Sequence, residues 1–258
     1  MILDRIVATK REEVARLQEE GFPKAEKTRD IVSLADRLRE GDRIHIISEV
    51  KRASPSKGVI RETVDPVEQA KAYERAGAIA ISVLTDETYF HGSFNDLRAV
   101  AKAVDVPVLC KDFMIDRVQI DVAYEAGASI ILLIVAALDD ETLHDLYAYA
   151  RSLDLNVLVE VHTPDEMTRA LALRADVIGV NNRNLKTFTV DLDETVRVIE
   201  GAHPTYDPVF ISESGIRTAE DVARLQSSGI EAILVGETLM RASSVEATIE
   251  ALRLEKVR

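Results

Sequence analysis

The stretch ERAGAIAISVL (74–84) joins the end of an amphipathic helix to an apolar, β-branched strand through Gly77. The same junction recurs in YEAGASIILLI (124–134) and QSSGIEAILVG (226–236), and ALRADVIGV (172–180) holds the same place without the glycine. Glycine is the usual residue just past a helix, because it adopts the left-handed backbone conformation that ends the helix. The recurrence predicts a repeated helix–strand unit, and such units indicate parallel strands joined by crossover connections.

Together with the strands at these junctions, the sequence contains eight apolar segments that alternate with helical patterns and predict strands. The predicted strands are, in chain order, RIHIISEV (43–50), AIAISVLT (78–85), VPVLCK (106–111), SIILLIV (129–135), NVLVEV (156–161), DVIGVN (176–181), PVFISES (208–214) and EAILVG (231–236). In a chain of 258 residues, eight such units fit a closed (βα)8 barrel, the α/β fold called the TIM barrel. An open, doubly wound sheet is the structural alternative.

Two further helical patterns precede the first strand. LDRIVATKREEVARLQEE (3–20) has an apolar side, and IVSLADRLREG (31–41) predicts a second helix. Residues 1–43 are too few for an independent domain. We therefore predict an N-terminal helical extension over 1–43, packed on a single (βα)8 barrel domain that covers 1–258.

Charge and composition narrow the possible partners. The formal net charge of −13 argues against nucleic acid, which demands clustered Lys and Arg, but allows a small anionic substrate in a locally positive pocket. No apolar run reaches the roughly 20 residues of a membrane helix, and the first residues do not form a signal peptide. A single cysteine, Cys110, fits a reducing compartment. We expect a cytoplasmic monomer with no nucleic-acid or membrane partner.

The odd-numbered strands end in charge, whereas the even-numbered strands are mostly apolar to their ends. Glu49, Lys111, Glu160 and Glu213 close the first, third, fifth and seventh predicted strands. Alternate strands of a (βα)8 barrel deliver side chains at the same height, and active sites lie at the C-terminal face. A charge at one strand end is commonplace, but four on alternate strands predict a ring of charges over the barrel mouth.

Glycine-containing turns near the C-terminus suggest an anion site. SESGIRTAED and VGETLMR place Gly215 and Gly236 between a strand and a helix start. Backbone N–H groups approach an anion closely there, and the last two loops of such barrels often bind phosphate. A tight turn explains either glycine alone. The two together favour phosphate, and no dinucleotide or nucleoside-triphosphate motif is present.

Two polar segments accompany the strand ends. In SEVKRASPSKG, Glu49 and Lys51 share a strand face and can pair, and the following loop is rich in donors that could close over an anion. In VNNRNLKT, Asn181 and Arg183 lie on one face if the strand continues, although helix capping is an alternative for the Asn residues. Cys110 should point away from Lys111, into the core.

Metal binding has little support in the sequence. The five histidines lack ligand spacing, and one cysteine cannot build a zinc site. We expect neither a metal nor an organic cofactor.

Eight segments together resemble the indole-3-glycerol phosphate synthase family, over nearly the whole chain. They are ISEVKRASPSKG, VLTDETYFHGS, VPVLCKDFMID, LLIVAAL, VLVEVHT, IGVNNRNLKTF, ISESGI and VGETLMR. The resemblance implies a carboxy-lyase of tryptophan biosynthesis that closes the indole ring of 1-(2-carboxyphenylamino)-1-deoxyribulose 5-phosphate, with loss of carbon dioxide and water.

The resemblance also implies roles for single residues. Lys111 takes the position of the general acid, Glu160 that of the general base, Lys51 that of a second lysine and rival acid, and Glu49 that of its supporting carboxylate. The implied catalytic set is Glu49, Lys51, Lys111, Glu160, Asn181 and Ser214. The implied substrate-binding set is Ser54, Phe90, Phe113, Leu132, Arg183, Leu185, Glu213, Gly215, Gly236 and Glu237.

Within these sets, Ser54, Gly215, Gly236 and Glu237 correspond to a phosphate cradle, and Phe90, Phe113, Leu132 and Leu185 to apolar walls around the anthranilate ring. Some members of the family carry a Trp in the extension near the site, and this chain has none. Three other readings stay open: an aldolase-like enzyme with a Schiff base on Lys111, a phosphoribosylanthranilate isomerase, and a barrel that serves as a binding module.

Overall fold

The computed structural model describes residues 2–27, 30–61 and 63–257, so the predicted domain limits 1 and 258 lie outside the described residues. Eight strands form one closed parallel barrel. They are β1 His45–Val50, β2 Ala80–Leu84, β3 Val108–Lys111, β4 Ile130–Ile134, β5 Asn156–Val161, β6 Val177–Asn181, β7 Val209–Glu213 and β8 Ala232–Val235. The chain has the predicted (βα)8 TIM-barrel fold.

Helices precede the first strand, connect the strands and follow the last one. They are α1 Ile2–Glu20, α2 Leu34–Arg39, α3 Pro66–Arg75, α4 Glu87–Phe90, α5 Phe94–Ala103, α6 Arg117–Glu125, α7 Asp140–Ser152, α8 Pro164–Ala172, α9 Asp193–Glu200, α10 Ala219–Gln226, α11 Glu237–Arg241 and α12 Val245–Leu252. A 3-10 turn spans Val135–Ala137, and Ala53–Ser54 pairs with Gly58–Val59 in a small antiparallel hairpin.

Closure of the barrel is set by strand pairing at both sides of β1. Ile47 aligns with Leu234 of β8 and with Ala80 of β2, and all neighbouring pairs are parallel. The open, doubly wound alternative is therefore wrong. The junction glycines behave as expected, because Gly77 and Gly127 have φ of 92° and 99° just past their helices.

Two apolar layers hold the barrel together. The outer layer lies between the strands and the helices and includes Cys110 of β3, which is fully buried. The inner layer fills the barrel itself and includes Leu109 and Leu158. Since successive strand residues point to opposite faces, Cys110 faces the helices while its neighbour Lys111 faces the barrel mouth.

The extension contacts the barrel at both ends. Leu34 and Leu38 of α2 belong to the inner layer, and the N–H of Leu34 donates to Asn156 Oδ1 at 2.8 Å. The helix begins at Leu34 rather than at Ile31, because Ser33 caps it. At the opposite end, α1 lies beside the cavity described below, so the extension is built into the barrel rather than appended to it.

Within the described part of the chain, no helix combines the length and apolar character needed to cross a membrane.

Candidate active site

A cavity of about 410 Å³ opens at the carboxyl ends of the barrel strands. All sixteen residues that the sequence singled out line it: Glu49, Lys51, Ser54, Phe90, Lys111, Phe113, Leu132, Glu160, Asn181, Arg183, Leu185, Glu213, Ser214, Gly215, Gly236 and Glu237. The volume suits a small organic ligand, and the lining mixes apolar walls with convergent charged groups.

Lys111, at the end of β3, lies among carboxylates from the facing strands. Its Nζ is 2.8 Å from Glu160 Oε2 and 3.3 Å from Glu213 Oε2. Burial alone would lower the pKa of Lys111, but the charges of Glu160, Glu213 and Glu49 outweigh burial and raise the pKa. The group is therefore an ammonium ion at neutral pH and can donate a proton.

Glu160, at the end of β5, has three polar neighbours. Lys111 donates to Oε2, Asn181 Nδ2 donates to Oε1 at 3.1 Å, and His162 Nε2 lies 3.4 Å from Oε1. Burial would raise the pKa of Glu160, but the charges of Lys111 and His162 outweigh burial and hold the pKa well below 4.5. Glu160 is thus an ionised carboxylate beside a proton donor.

His162 is a residue that the sequence reasoning did not assign to the site. Its Nδ1 lies 3.2 Å from Glu166 Oε2, and its Nε2 faces Glu160. Burial works to lower the pKa of His162, yet Glu166 and Glu160 raise it. The signal available in the sequence was its position two residues after Glu160.

Glu213, at the end of β7, occupies the space left by a missing side chain. Gly179 of β6 lies opposite, and a Cβ built there would be 2.1 Å from Glu213 Oε1. Burial raises the pKa of Glu213 to about 7, against the lowering effect of Lys111. The two carboxylates beside Lys111 therefore differ in proton affinity, because Asn181 and His162 stabilise the charge on Glu160.

Glu49 and Lys51 form the pair expected from their spacing, with Nζ 2.7 Å from Oε1. Ser82 of β2 donates to the other oxygen of Glu49 at 3.4 Å. A Cβ on Gly236 would lie 2.5 Å from Glu49 Oε1, so this glycine makes room for the pair. Lys51 Nζ is also 5.8 Å from the ring centre of Phe90.

The anion side of the cavity combines a guanidinium group with unusual backbone. Ser214 and Gly215 both have positive φ, 69° and 86°, and Gly236 is the N-cap residue of α11 and gives the helix no side-chain hydrogen bond. Arg183 has no carboxylate partner among the described residues, and its guanidinium donates to Phe188 O at 3.3 Å. Burial lowers the pKa of Arg183, although a guanidinium remains charged at neutral pH.

Strand β6 does not continue to Arg183, contrary to the condition under which Asn181 and Arg183 would share a face. Instead Asn181 Oδ1 accepts from the Arg183 N–H at 3.0 Å, which turns the chain at the strand end. Both side chains still line the cavity.

The apolar side of the cavity is built from two phenylalanines and the extension. The rings of Phe90 and Phe113 lie 5.9 Å apart at 34°. Ile2, Leu3 and Ile6 of α1 line the same cavity. The sequence, which contains no Trp, did not predict how the extension contributes to the pocket. In the structure, these three side chains make that contribution. Their apolar stripe predicted packing on the barrel, and the pocket lies on that face.

Across residues 2–27, 30–61 and 63–257, no cluster of three or more His, Cys, Asp or Glu side chains is arranged to hold a metal ion. The chemistry of the cavity is that of an ammonium donor and a carboxylate acceptor in contact, flanked by cationic groups and an aromatic wall. Such a pair suits general acid–base catalysis.

Comparison with known sequences gives consistent results. Residues 3–252 match the family described as indole-3-glycerol phosphate synthase. The chain is 57% identical over 251 residues to an indole-3-glycerol phosphate synthase of Exiguobacterium sibiricum, covering 97% of this chain and 96% of the relative. It is 48% identical over 255 residues to one of Oceanobacillus iheyensis, covering 99% and 97%.

Solved structures with low sequence identity share the fold. 3-Hexulose-6-phosphate synthase from Salmonella typhimurium has a TM-score of 0.65 at 12% identity, over 81% of this chain and 96% of that one. An N-acetylmannosamine-6-phosphate 2-epimerase from Clostridium perfringens has a TM-score of 0.60 at 15% identity, over 84% and 95%. At such identities the likeness concerns the barrel alone.

Proposed function

The chain belongs to the indole-3-glycerol phosphate synthase family of carboxy-lyases, and we propose that it converts 1-(2-carboxyphenylamino)-1-deoxyribulose 5-phosphate to indole-3-glycerol phosphate by general acid–base catalysis. The observation that carries the mechanism is the contact of Lys111 with Glu160 and Glu213 inside a cavity that has one apolar and one cationic side. The substrate has the matching parts: an aromatic ring, a ketone and a phosphate.

Lys111 is the general acid of ring closure. As the anthranilate carbon that bears the carboxylate attacks the ketone carbon, negative charge develops on the ketone oxygen, and the ammonium group gives it a proton. Carbon dioxide then leaves, and its bonding electrons restore the aromatic ring. The electron sink is created within the substrate, so this scheme requires no cofactor.

Glu160 is the general base of the dehydration that follows. The new ring carries a hydroxyl group that leaves as water after taking a second proton, while Glu160 accepts the proton from the adjacent carbon. Its lowered pKa keeps it ionised for this step. Lys51, paired with Glu49, is placed to supply the proton to the leaving hydroxyl group.

The remaining residues hold the ends of the substrate. Ser54 and the backbone around Gly215, Gly236 and Glu237 bind the phosphate, because N–H groups at turns and helix starts favour anions. Arg183, which has no carboxylate partner among the described residues, binds an anionic group of the substrate; Asn181, Ser214 and Glu213 orient the reacting centre. The apolar wall of Phe90, Phe113, Leu132 and Leu185 receives the anthranilate ring.

A Schiff base on Lys111 fits the electrostatics of the site less well. Such a lysine attacks as the unprotonated amine, which is favoured by a lowered pKa, whereas the surrounding carboxylates raise the pKa of Lys111. Sodium borohydride should therefore trap no covalent adduct with the substrate.

The test of the function is turnover of the carboxyphenylamino substrate, followed by the fluorescence of the indole product together with carbon dioxide release. We expect one molecule of carbon dioxide for each molecule of indole-3-glycerol phosphate formed. An isomerase would release no carbon dioxide, and a binding module would give no product, so either result would refute the proposal.

We further propose that the chain works as a single-domain monomer in the cytoplasm, without nucleic-acid contact. The extension contacts both ends of the barrel, and the large apolar side chains exposed in the described part are four valines, Val32, Val59, Val190 and Val257. Light scattering should give the mass of one chain, 28.6 kDa; a dimer mass would contradict the monomer.

A further inference from the structure

Lys10 of α1 is only 1% exposed, and its ammonium group lies among three carboxylates. Nζ is 2.9 Å from Asp86 Oδ2, 2.8 Å from Asp112 Oδ1 and 2.8 Å from Glu13 Oε2. Burial alone would lower the pKa of Lys10, but the charges of Asp112 and Asp86 outweigh burial and raise the pKa. Lys10 is a buried cation outside the reacting centre.

Asp86 and Asp112 follow the adjacent strands β2 and β3, and they are 0% and 3% exposed. Among the described residues, the cation paired with each of them is Lys10. Two buried carboxylates without a cation repel one another and lose their hydration. The extension therefore supplies the positive charge that lies between the loops after β2 and β3.

Each of these aspartates also fixes the backbone beside one phenylalanine of the cavity wall. Asp86 Oδ1 accepts from the Tyr89 N–H at 2.6 Å and so caps the short helix α4 that ends at Phe90. Asp112 Oδ1 accepts from the Phe113 N–H at 2.7 Å. The rings lie 5.9 Å apart, and the backbone beside each one is held by a carboxylate that also contacts Lys10.

We propose that Lys10 is a positioning residue for the aromatic end of the substrate. It holds Phe90 and Phe113 at the spacing that receives the anthranilate ring, and it keeps Leu3 and Ile6 of its own helix against the same pocket. This inference rests on the proposed function. Lys10 does not line the cavity, so it acts on ring binding and not on the reacting atoms.

The test compares Lys10→Met with the wild-type enzyme. We expect KM for the carboxyphenylamino substrate to rise about tenfold, equivalent to about 1.4 kcal/mol of binding, while kcat stays within about twofold and inhibition by inorganic phosphate is unchanged. A merely structural role would reduce the folded fraction, which lowers apparent kcat and leaves KM alone.

Gln18→Ala is the matched control, because it removes another contact of α1, the hydrogen bond from Gln18 Nε2 to Asp116 Oδ2 at 3.1 Å. It should leave KM unchanged. If Lys10→Met does not fold, Asp86→Asn keeps Lys10 paired with Glu13 and Asp112, and a KM increase of about threefold is expected on the same scale.

An unchanged KM in folded Lys10→Met, or an equal rise in Gln18→Ala, would overturn the proposal. Loss of affinity for inorganic phosphate in parallel with substrate would do so too. Absence of turnover in the wild-type enzyme refutes the proposed function instead. Equilibrium binding of the substrate analogue with its ketone reduced to an alcohol then decides the role of Lys10, because that comparison needs no catalysis.

Discussion

Gly179 and Glu213 share one space, because a Cβ on Gly179 would lie 2.1 Å from Oε1 of Glu213. Only glycine at this point of β6 lets the carboxylate lie against the neighbouring strand and bring its other oxygen to 3.3 Å from Lys111. The position of Glu213 on β7 therefore depends on the absence of a side chain at Gly179 on β6.

Gly179→Ala should displace Glu213, destabilise the protein by about 1–3 kcal/mol as overpacking does, and lower kcat/KM. In a Glu213→Ala background most of the stability penalty should vanish, since the atoms that clash are gone. Urea unfolding of the wild type, the two single variants and the double variant measures this. Equal penalties in both backgrounds would show that the clash lies elsewhere, for example with Leu158 at 3.1 Å.

Lys111→Met should lower kcat by about 10²- to 10⁴-fold, the usual contribution of a positioned acid, and leave inhibition by inorganic phosphate almost unchanged. Steady-state kinetics by indole fluorescence measures both. Lys102→Met, on the exposed surface of α5, is the control and should behave as wild type. Near-normal turnover of folded Lys111→Met would refute its role as the acid.

Glu213→Gln should change the pH dependence of stability. The pKa of Glu213 is raised from 4.5 to about 7 in the folded protein, so between these values the folded state keeps a proton that the unfolded chain has released. The free energy of unfolding then falls as pH rises through this window. The variant lacks this loss.

Relative to wild type, the variant should therefore gain stability between pH 5 and pH 8, on the order of 3 kcal/mol at about 1.4 kcal/mol per pKa unit. Urea unfolding at the two pH values measures the gain, with exposed Glu246→Gln as the control. The same difference between variant and wild type at both pH values would contradict the raised pKa.

Cys110 should resist thiol reagents in the native protein. It is fully buried among apolar residues, and burial raises the pKa of its thiol. We expect labelling by a disulfide reagent only at the rate of unfolding, and complete labelling in denaturant. Fast labelling of the native protein would place Cys110 in the cavity, on the same side as Lys111.

The pattern of the strands predicted the four charged strand ends of this site, because the strand repeat is two residues; most of the other lining residues came from the family resemblance. Once VPVLCK is a barrel strand, Lys111 and Cys110 must face opposite ways, and the structure confirms both directions. The four charged strand ends meet for the same reason. Local pattern and closed topology together determine which side chains converge.

Lys10 and His162 escaped prediction for a different reason. Lys10 lies four residues after Ile6 and four before Val14, so it falls on the apolar stripe of α1. A charged side chain on such a stripe indicates an oppositely charged partner in the interior. The partners, Asp86 and Asp112, are remote in sequence and no local period connects them. The contact of His162 with Glu160 likewise depends on the turn after β5, which strand periodicity does not describe.

Barrel closure has a consequence for the order of events during synthesis. Glu49 belongs to the first strand, while Gly236, which makes room for its carboxylate, follows the last strand. Pairing of β1 with β8 is a contact between distant parts of the chain, of the kind that slows folding. We therefore expect a nascent chain to hold every side chain that we propose to be catalytic, yet to remain inactive until β8 has left the ribosome and can pair with β1. Enzyme activity would then be detected only from chains in which the last strand of the barrel has been translated.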